Sequence, residues 1–239
     1  WHYSIHDFRN TRAFVKIQDG CVNHCTFCKI RLVRPKVISR PLEDIFEELR
    51  RLQHKGFKEI VLCGINLSLY GLEWKYAYDL ADLVKDIDEG GYGFRVRLSS
   101  LDPASWRDSF YSMLDQPSFC PFLHLSFQSG DATVLKAMRK KADPETYLQI
   151  VERCRRVRPD VAIACDMIVG FPSENAEAFA NTVHFIETVR PMRMHIFPYS
   201  ERFHAGSDRA VVSSVITQRV RALKELSVCL SREYSRRWQ

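Results

Sequence analysis

The sequence has no uninterrupted apolar run approaching the ~18 residues of a membrane-spanning helix, and no signal peptide opens it. It also shows no internal repeat and no low-complexity segment. With 46% hydrophobic and 27% charged residues, its composition is that of a folded globular protein rather than a disordered chain. We therefore expect a soluble, cytoplasmic protein whose 239 residues form one large domain.

A disulfide framework is not expected either, although the chain contains eight cysteines, because it is long and lacks a secretory signal. Cys21, Cys25 and Cys28 lie within eight residues, and this clustering predicts a metal site in a reducing compartment. The remaining cysteines are scattered through apolar or helical segments, where we expect them to pack as small hydrophobic side chains. They are Cys63, Cys120, Cys154, Cys165 and Cys229.

The net charge of +6 is concentrated near the C-terminus. From residue 190 onwards there are ten Arg or Lys residues and four acidic ones, so this stretch carries the whole excess. A basic surface of this kind suits a polyanion such as nucleic acid. The alternative is an ordinary solvated helix surface.

Apolar periodicity predicts strands alternating with helices along the whole chain. The predicted strands are 13–18, 58–63, 94–98, 122–127, 161–169 and 194–199. The predicted helices are 41–55, 77–89, 103–114, 132–139, 144–157, 174–189 and 213–236. Strict alternation predicts an α/β fold with a parallel sheet.

Polar and Gly-rich residues collect directly after the predicted strands, and in α/β barrels this edge is where functional sites are built. Six strand–helix units are too few to close an eight-stranded barrel. We therefore expect a partial, open, six-unit β/α barrel with parallel strands and a lateral cleft that admits a large substrate.

Two metal centres are compatible with the spacing Cys-x3-Cys-x2-Cys. A structural zinc site needs four ligands, so it would have to recruit His24, next to Cys25, or a distant group. An iron–sulfur cluster accommodates three thiolates more naturally and leaves one iron open to an external ligand. The spacing favours the iron–sulfur cluster, and an open iron implies chemistry rather than electron storage alone.

This cysteine spacing, with Phe27 directly before the third cysteine and a strand before the first, resembles the radical S-adenosylmethionine (SAM) superfamily. Six segments in order resemble the central catalytic domain of its methylthiotransferases: 16–21, 61–71, 97–100, 124–130, 166–172 and 197–200. Within that family, 16–21 and the Gly-Ile-Asn-Leu loop at 64–67 look most like the branch that modifies threonylcarbamoyladenosine in tRNA.

The resemblance implies a radical SAM fold and one 4Fe-4S cluster held by Cys21, Cys25 and Cys28. The open iron would bind the amino and carboxylate groups of SAM, and reductive cleavage would give a deoxyadenosyl radical. That radical would remove hydrogen from carbon 2 of the modified adenine next to the anticodon, where a methylthio group is then installed. The alternatives are a radical SAM enzyme acting on a protein side chain, as ribosomal-protein methylthiotransferases do, and a structural zinc or electron-transfer module.

Further site residues follow from the resemblance. Contact with SAM is expected for residues in or directly after the strands, namely Phe27, Gly64, Asn66, Ser100, Gln128, Asp166, Ile168, Val169, Gly170 and Tyr199. Asp166 stands alone among apolar residues, so we expect a definite partner such as an arginine or a backbone amide. Contact with RNA phosphates is expected for Arg139, Lys140, Lys141, Arg232, Arg236 and Arg237.

The family pattern is not matched everywhere. Val22, the segment 31–35 and the pair Ser126-Phe127 depart from it, and the changes in the cysteine loop predict an altered loop shape rather than altered cluster ligands. The chain begins at Trp1, so we expect residues 1–239 to be the radical SAM catalytic domain of a longer protein. An N-terminal domain with a second 4Fe-4S cluster and a C-terminal RNA-binding domain would then lie outside this chain. The expected partners are tRNA and a reductant such as flavodoxin or ferredoxin, acting on a monomer.

Overall fold

The computed structural model describes residues 11–200 and 211–237, so the predicted domain 1–239 extends beyond the described residues. The strands are β1 (Arg12–Lys16), β2 (Gln18–Asp19), β3 (Ile38–Ser39), β4 (Glu59–Cys63), β5 (Arg95–Leu98), β6 (Ser100–Leu101), β7 (Phe122–Gln128), β8 (Ala162–Val169) and β9 (Arg193–Pro198). The helices are α1 (Ile30–Val33), α2 (Leu42–His54), α3 (Leu80–Glu89), α4 (Phe110–Leu114), α5 (Ala132–Ala137), α6 (Pro144–Val157), α7 (Ala176–Val189) and α8 (Ser213–Arg236). Short 3-10 helices cover Leu67–Leu69 and Pro103–Ser105.

The described residues divide into two compact units. The first unit comprises residues 11–23, 30–123 and 154–161. The second unit comprises residues 24–29, 124–153, 162–200 and 211–237.

The first unit is built on a parallel sheet in the order β1-β4-β5. The central strand β4 is the most apolar of the three, and its first four residues are buried. Beside this sheet, β2 and β3 form a two-residue antiparallel pair. Helix α2 follows the predicted period, because Ile45, Leu49 and Leu52 recur at helical spacing and are all buried.

The second unit contains a sheet in which β7, β8 and β9 are neighbours in that order. Strands β8 and β9 are parallel, and Asp166 is directly opposite His195. Side chains of β7 alternate strictly between buried positions and half-buried positions. The half-buried face carries His124, Ser126 and Gln128, so this face of the sheet is polar.

The parallel pairing confirms the predicted α/β class, and the predicted bounds of α6 and α8 are those observed. The predicted helix 103–114 is wrong, because a 3-10 turn at Pro103–Ser105 and the short α4 replace it. Helix α3 begins three residues later than predicted. Its N-cap is Asp79, whose carboxylate accepts a 2.8 Å hydrogen bond from the backbone N–H of Ala81. In the described part of the chain, every helix is too short or too polar to cross a membrane.

Candidate cofactor site

The turn that leads into the cysteine loop is held by Gln18, which is fully buried. Its side-chain amide donates to the backbone oxygens of Asp19, at 2.8 Å, and Gly20, at 2.7 Å. Gly20 has a positive φ of 73°, and a Cβ there would lie 1.7 Å from the backbone oxygen of Lys36. Only glycine satisfies both the left-handed backbone and this close approach. The loop therefore leaves β2 in one fixed direction.

The segment 31–35, which departs from the family pattern, anchors the start of the cysteine loop. The backbone N–H of Cys21 donates to the backbone oxygen of Arg34 at 3.1 Å. The Arg34 guanidinium donates to both oxygens of Asp19, each at 2.8 Å, and Lys16 donates to the same carboxylate at 2.7 Å. Partial burial alone would raise the pKa of Asp19, but the hydrogen bonds from Lys16 and Arg34 bring that pKa below its ordinary value.

The sulfur of Cys21 faces two N–H donors. The backbone N–H of Asn23 lies 3.4 Å from the sulfur, and the side-chain amide nitrogen of Asn66 lies 3.8 Å from it. The Asn23 side chain is held in turn by the Asp102 carboxylate at 2.8 Å. The backbone N–H of Asn66 donates to the side-chain oxygen Oε1 of Gln18 at 2.8 Å. Both donors belong to the first unit, so this unit fixes the hydrogen-bonding surroundings of the Cys21 sulfur.

Cys25 and Cys28 belong to the second unit. Cys25 is buried, and its backbone oxygen accepts a 3.2 Å hydrogen bond from the N–H of Cys28. Between them, Thr26 is tied to the end of α5, because its N–H donates to Met138 and its hydroxyl donates to Ala137, each at 3.2 Å. Phe27 is half-buried. These bonds fix the path of the loop between the second and third cysteines.

The donor set fits an iron–sulfur cluster. The three thiols are in no disulfide, and their spacing along the chain brings them within eight residues. The side-chain oxygen of Asn66 is buried and accepts no hydrogen bond from the described residues. A buried acceptor without a partner is able to accept a hydrogen bond from a bound molecule. Two of the remaining cysteines differ from the prediction that they pack as hydrophobes, because Cys63 is half-buried and Cys229 is exposed.

Two predicted SAM-contacting residues of the first unit have contrasting surroundings. A Cβ on Gly64 would lie 2.8 Å from the Gln18 side-chain oxygen, so packing against Gln18 already requires glycine here. Ser100 lies half-buried in β6. For these positions, contact with SAM stays a prediction.

The end of β8 is packed against α8. Ile168 and Val169 are buried, and Gly170 has a positive φ of 84°. A Cβ on Gly170 would lie 2.5 Å from the side chain of Ile216. Tyr199 is half-buried, and its N–H donates to the backbone oxygen of Val169 at 2.7 Å. These contacts account for packing at this end of the strand, and a cofactor role for these residues stays a prediction.

Asp166 has partners other than those expected. The expectation of a definite partner is met, but the partner is neither an arginine nor a backbone amide, because the carboxylate contacts two histidines and a serine. His124 Nε2 lies 2.8 Å and His195 Nδ1 lies 3.3 Å from Oδ1, and the Ser126 hydroxyl donates to Oδ2 at 3.1 Å. Burial alone would raise the pKa of Asp166, but the hydrogen bonds from His124 and Ser126 hold that pKa below its ordinary value.

The sequence interpretation gave no role to Gln18, Asn23, His124 or His195. Gln18 lies at an inward position of an apolar segment. A buried side-chain amide at such a position predicts that its nitrogen and oxygen are hydrogen-bonded to the surrounding chain. His124 and Asp166 are 42 residues apart and His195 is 29 residues beyond Asp166, so only the strand register brings them together. Gln128 ends β7 with a positive φ of 72°, an uncommon backbone for a non-glycine residue.

The residues predicted to contact RNA all lie in the second unit. Five of them are exposed, namely Arg139, Lys141, Arg232, Arg236 and Arg237, and Lys140 is half-buried. Arg232 also lines a pocket of about 370 Å³ between β9 and α8, together with Met192, Met194 and Ser231. Exposure is compatible with phosphate contact, which stays a prediction.

Comparison with known proteins identifies the family. Residues 15–186 match the family model described as the radical SAM superfamily. The chain belongs to the radical SAM superfamily. The match contains all three cysteines of the loop and the strands β4 to β8.

Curated relatives give a finer resemblance. The chain is 38% identical to the threonylcarbamoyladenosine tRNA methylthiotransferase MtaB of Thermotoga maritima, over 95% of this chain and 53% of the relative. It is 37% identical to MtaB of Bacillus subtilis, over 96% of this chain and 52% of the relative. It is 35% identical to a tRNA-2-methylthio-N(6)-dimethylallyladenosine synthase of Acetivibrio thermocellus, over 88% of this chain and 44% of the relative. The chain thus spans about half the length of the curated relatives it matches.

Solved structures confirm the fold type. The radical SAM methyltransferase TsrM from Kitasatospora setae superimposes with a TM-score of 0.61 at 16% identity, over 78% of this chain and 35% of that one. The coproporphyrinogen III oxidase HemN of Escherichia coli, a radical SAM enzyme, gives a TM-score of 0.59 at 16% identity, over 92% of this chain and 52% of that one. The predicted radical SAM type of α/β fold is therefore correct.

Proposed function

We propose that this chain is the radical SAM catalytic domain of a tRNA methylthiotransferase that modifies carbon 2 of threonylcarbamoyladenosine next to the anticodon. The observation that carries this proposal is the 38% identity to MtaB of Thermotoga maritima across 95% of the chain, including the loop with Cys-x3-Cys-x2-Cys. A relative with dimethylallyladenosine in its name is almost as similar, so the modified adenosine needs its own test.

Cys21, Cys25 and Cys28 would hold one 4Fe-4S cluster through three thiolates, and the fourth iron would take the amino and carboxylate groups of SAM. When bound, this pair would supply one-electron chemistry able to remove hydrogen from an unactivated carbon. A second 4Fe-4S cluster would belong to the part of the relatives that this chain does not cover.

The residues around Cys21 would orient and tune that site. Asn23 and Asn66 donate N–H groups towards the sulfur, and Asn66 keeps a buried oxygen that could accept from the SAM amino group. The ion pairs of Asp19 would hold the loop in place while the cluster is loaded. The other residues that we propose to line the SAM site are Phe27, Gly64, Ser100, Gln128, Asp166, Ile168, Val169, Gly170 and Tyr199.

The substrate would be a tRNA whose phosphates contact the exposed basic residues of the second unit. The reaction would take place in the cytoplasm. We expect a monomer that takes electrons from a reductant such as flavodoxin or ferredoxin. Basic side chains on one unit would position the RNA without reading its sequence. The choice of the target nucleotide would then depend on contacts with the modified adenine itself.

Anaerobic reconstitution tests the proposal. The chain should bind four irons and four sulfides, turn brown, and release deoxyadenosine from SAM when dithionite is added. Substitution of Cys28→Ala should abolish cluster loading, whereas Cys229→Ser on the exposed face of α8 should leave it unchanged. A colourless, zinc-loaded protein that is inert to dithionite would overturn the radical SAM assignment for this chain.

The substrate is tested with the full-length protein that contains this chain. Transcripts bearing threonylcarbamoyladenosine should gain a methylthio group, detectable as a mass increase of the nucleoside, and this chain alone should not complete the reaction. Modification of a dimethylallyladenosine transcript or of a ribosomal-protein peptide instead would refute the proposed substrate while leaving the radical SAM chemistry intact.

A further inference from the structure

We propose that His124, Asp166 and His195 form a second metal site, for a divalent transition-metal ion, with a ligand set that includes none of the three loop cysteines. Their candidate ligand atoms all lie within 4.8 Å of one another. Asp166 Oδ1 is shared, because His124 Nε2 lies 2.8 Å from it and His195 Nδ1 lies 3.3 Å from it. The three side chains belong to the second unit and include none of the cysteines.

The three donors stand on a stiff scaffold. They come from three neighbouring strands, β7, β8 and β9, and Asp166 is opposite His195 in the parallel register. His124 lies on the polar face of β7, whose alternate residues Leu123 and Leu125 are fully buried. Ligands on adjacent strands of a packed sheet lose little freedom on binding, so the site is largely formed before an ion arrives.

Two imidazoles and one carboxylate are a donor set that divalent zinc or iron takes in enzymes, with positions left open for water or substrate. Ligand atoms bound at about 2.0–2.1 Å to a tetrahedral zinc ion lie about 3.4 Å apart. The 3.3 Å contact already meets this spacing, the 2.8 Å contact needs a small outward movement, and the ligand nitrogens of the two histidines lie within 4.8 Å of each other. An imidazole with one proton can hold it on either ring nitrogen, so an ion can replace both hydrogen bonds where each ring keeps its proton on the nitrogen that faces away from Asp166.

The surroundings provide both a support and an entry path. Ser126 donates to the second oxygen of Asp166 at 3.1 Å, which orients the carboxylate as outer hydrogen bonds do in metal sites. The side chains of His124 and Asp166 are 15% and 16% exposed, whereas that of His195 is 39% exposed. An ion can therefore enter beside His195 and keep an open position on that side. That position would accept an oxygen ligand such as water or a carboxylate of a bound substrate.

Zinc binding to the cluster-loaded chain tests the proposal, because the cluster then occupies the thiols of the cysteine loop. Equilibrium dialysis with Zn²⁺ followed by elemental analysis should give one zinc per chain. His124→Gln and His195→Gln should weaken zinc binding at least tenfold. The control His184→Gln alters an exposed histidine on α7 and should leave zinc binding unchanged. Cys229→Ser should likewise leave zinc binding unchanged, which would exclude the exposed thiol of Cys229 as the zinc ligand.

X-ray absorption at the zinc edge of the cluster-loaded wild-type chain gives an answer that does not depend on the folding of the variants. Nitrogen and oxygen neighbours with no sulfur would support the site. Sulfur neighbours, the absence of bound zinc, or unchanged zinc binding by His195→Gln would each overturn it. In those cases the two histidines serve only to satisfy the charge of Asp166.

Discussion

The side-chain amide of Asn66 points at the sulfur of Cys21, with 3.8 Å between nitrogen and sulfur. The same asparagine is fixed by its backbone N–H, which donates to the buried Gln18. A residue 45 positions along the chain from the cysteine therefore sets the electrostatic environment of a proposed cluster ligand. Hydrogen bonds to ligand sulfur stabilise the reduced, more negative cluster and so raise its reduction potential.

Asn66→Ala should lower the reduction potential of the reconstituted cluster, because it removes one N–H donor from Cys21. The cluster should still form, since the three thiols remain. A redox titration followed by electron paramagnetic resonance measures the potential, and Gln149→Ala on the exposed face of α6 is the matched control. An unchanged potential would mean that Asn66 does not act on the cluster through the sulfur.

Gly20→Ala should impair cluster loading and stability together. Its Cβ would fall 1.7 Å from the backbone oxygen of Lys36, so the cysteine loop or the segment after α1 must move. Gly56→Ala is the matched control, because Gly56 has a similar φ of 79° but a Cβ there would contact nothing within 4 Å. The control should cost about 1–2 kcal/mol from backbone strain alone.

Thermal unfolding and iron content separate the two glycine variants. Gly56→Ala should lower the melting temperature by a few degrees, roughly 2–4 °C for each kcal/mol, and retain full iron content. Gly20→Ala should show a larger drop and fewer irons per chain. Equal effects of the two substitutions would show that the contact with Lys36 does not shape the loop.

Much of the fold could be predicted from local patterns, and the proposed cluster ligands follow from the spacing of three cysteines within one loop. The buried run of β4 and the helical period of α2 and α8 are set by residues close in sequence. Asp102 and Pro103 are typical of the start of a helix. The turn that they begin ends after Ser105, and the backbone of Trp106 is extended. A local start signal does not fix how far a helix continues.

Contacts between distant residues could not be predicted in the same way. The convergence of His124 and His195 on Asp166 depends on how β7, β8 and β9 align. A shift of one residue in that alignment would place the side chains on opposite faces. An acidic residue inside an apolar strand needs a partner, so the sequence predicts that Asp166 has one. The sequence does not predict which residues those partners are.

Binding of tRNA by this chain should weaken steeply with salt if the basic residues of the second unit contact phosphates. Replacing Arg236 and Arg237 by glutamine should lower the slope of log affinity against log salt by roughly one for each phosphate that is no longer neutralised. The control replaces Arg50, an exposed residue of α2 in the first unit. Fluorescence anisotropy over a salt series measures the slope, and equal slopes for all variants would remove these arginines from the RNA-binding surface.

The pair Glu174 and Arg219 ties the end of β8 to α8. The Arg219 guanidinium lies 2.6 Å from Glu174 Oε1, which also accepts from the backbone N–H of Gly170 at 3.1 Å. The two side chains are only 1% and 10% exposed, so the loss of either leaves a charge without its counterion in a poorly solvated place. Glu174→Gln or Arg219→Met alone should therefore destabilise the fold by about 3–5 kcal/mol.

The double variant Glu174→Gln with Arg219→Met should be less destabilised than the sum of the two single variants, because no buried charge is then left unpaired. Arg221→Met breaks an exposed ion pair with Glu225 on the same helix and should cost at most about 1 kcal/mol. Urea unfolding of the four variants measures these differences. Strict additivity in the double variant would mean that Glu174 and Arg219 are each stabilised by separate partners rather than by each other.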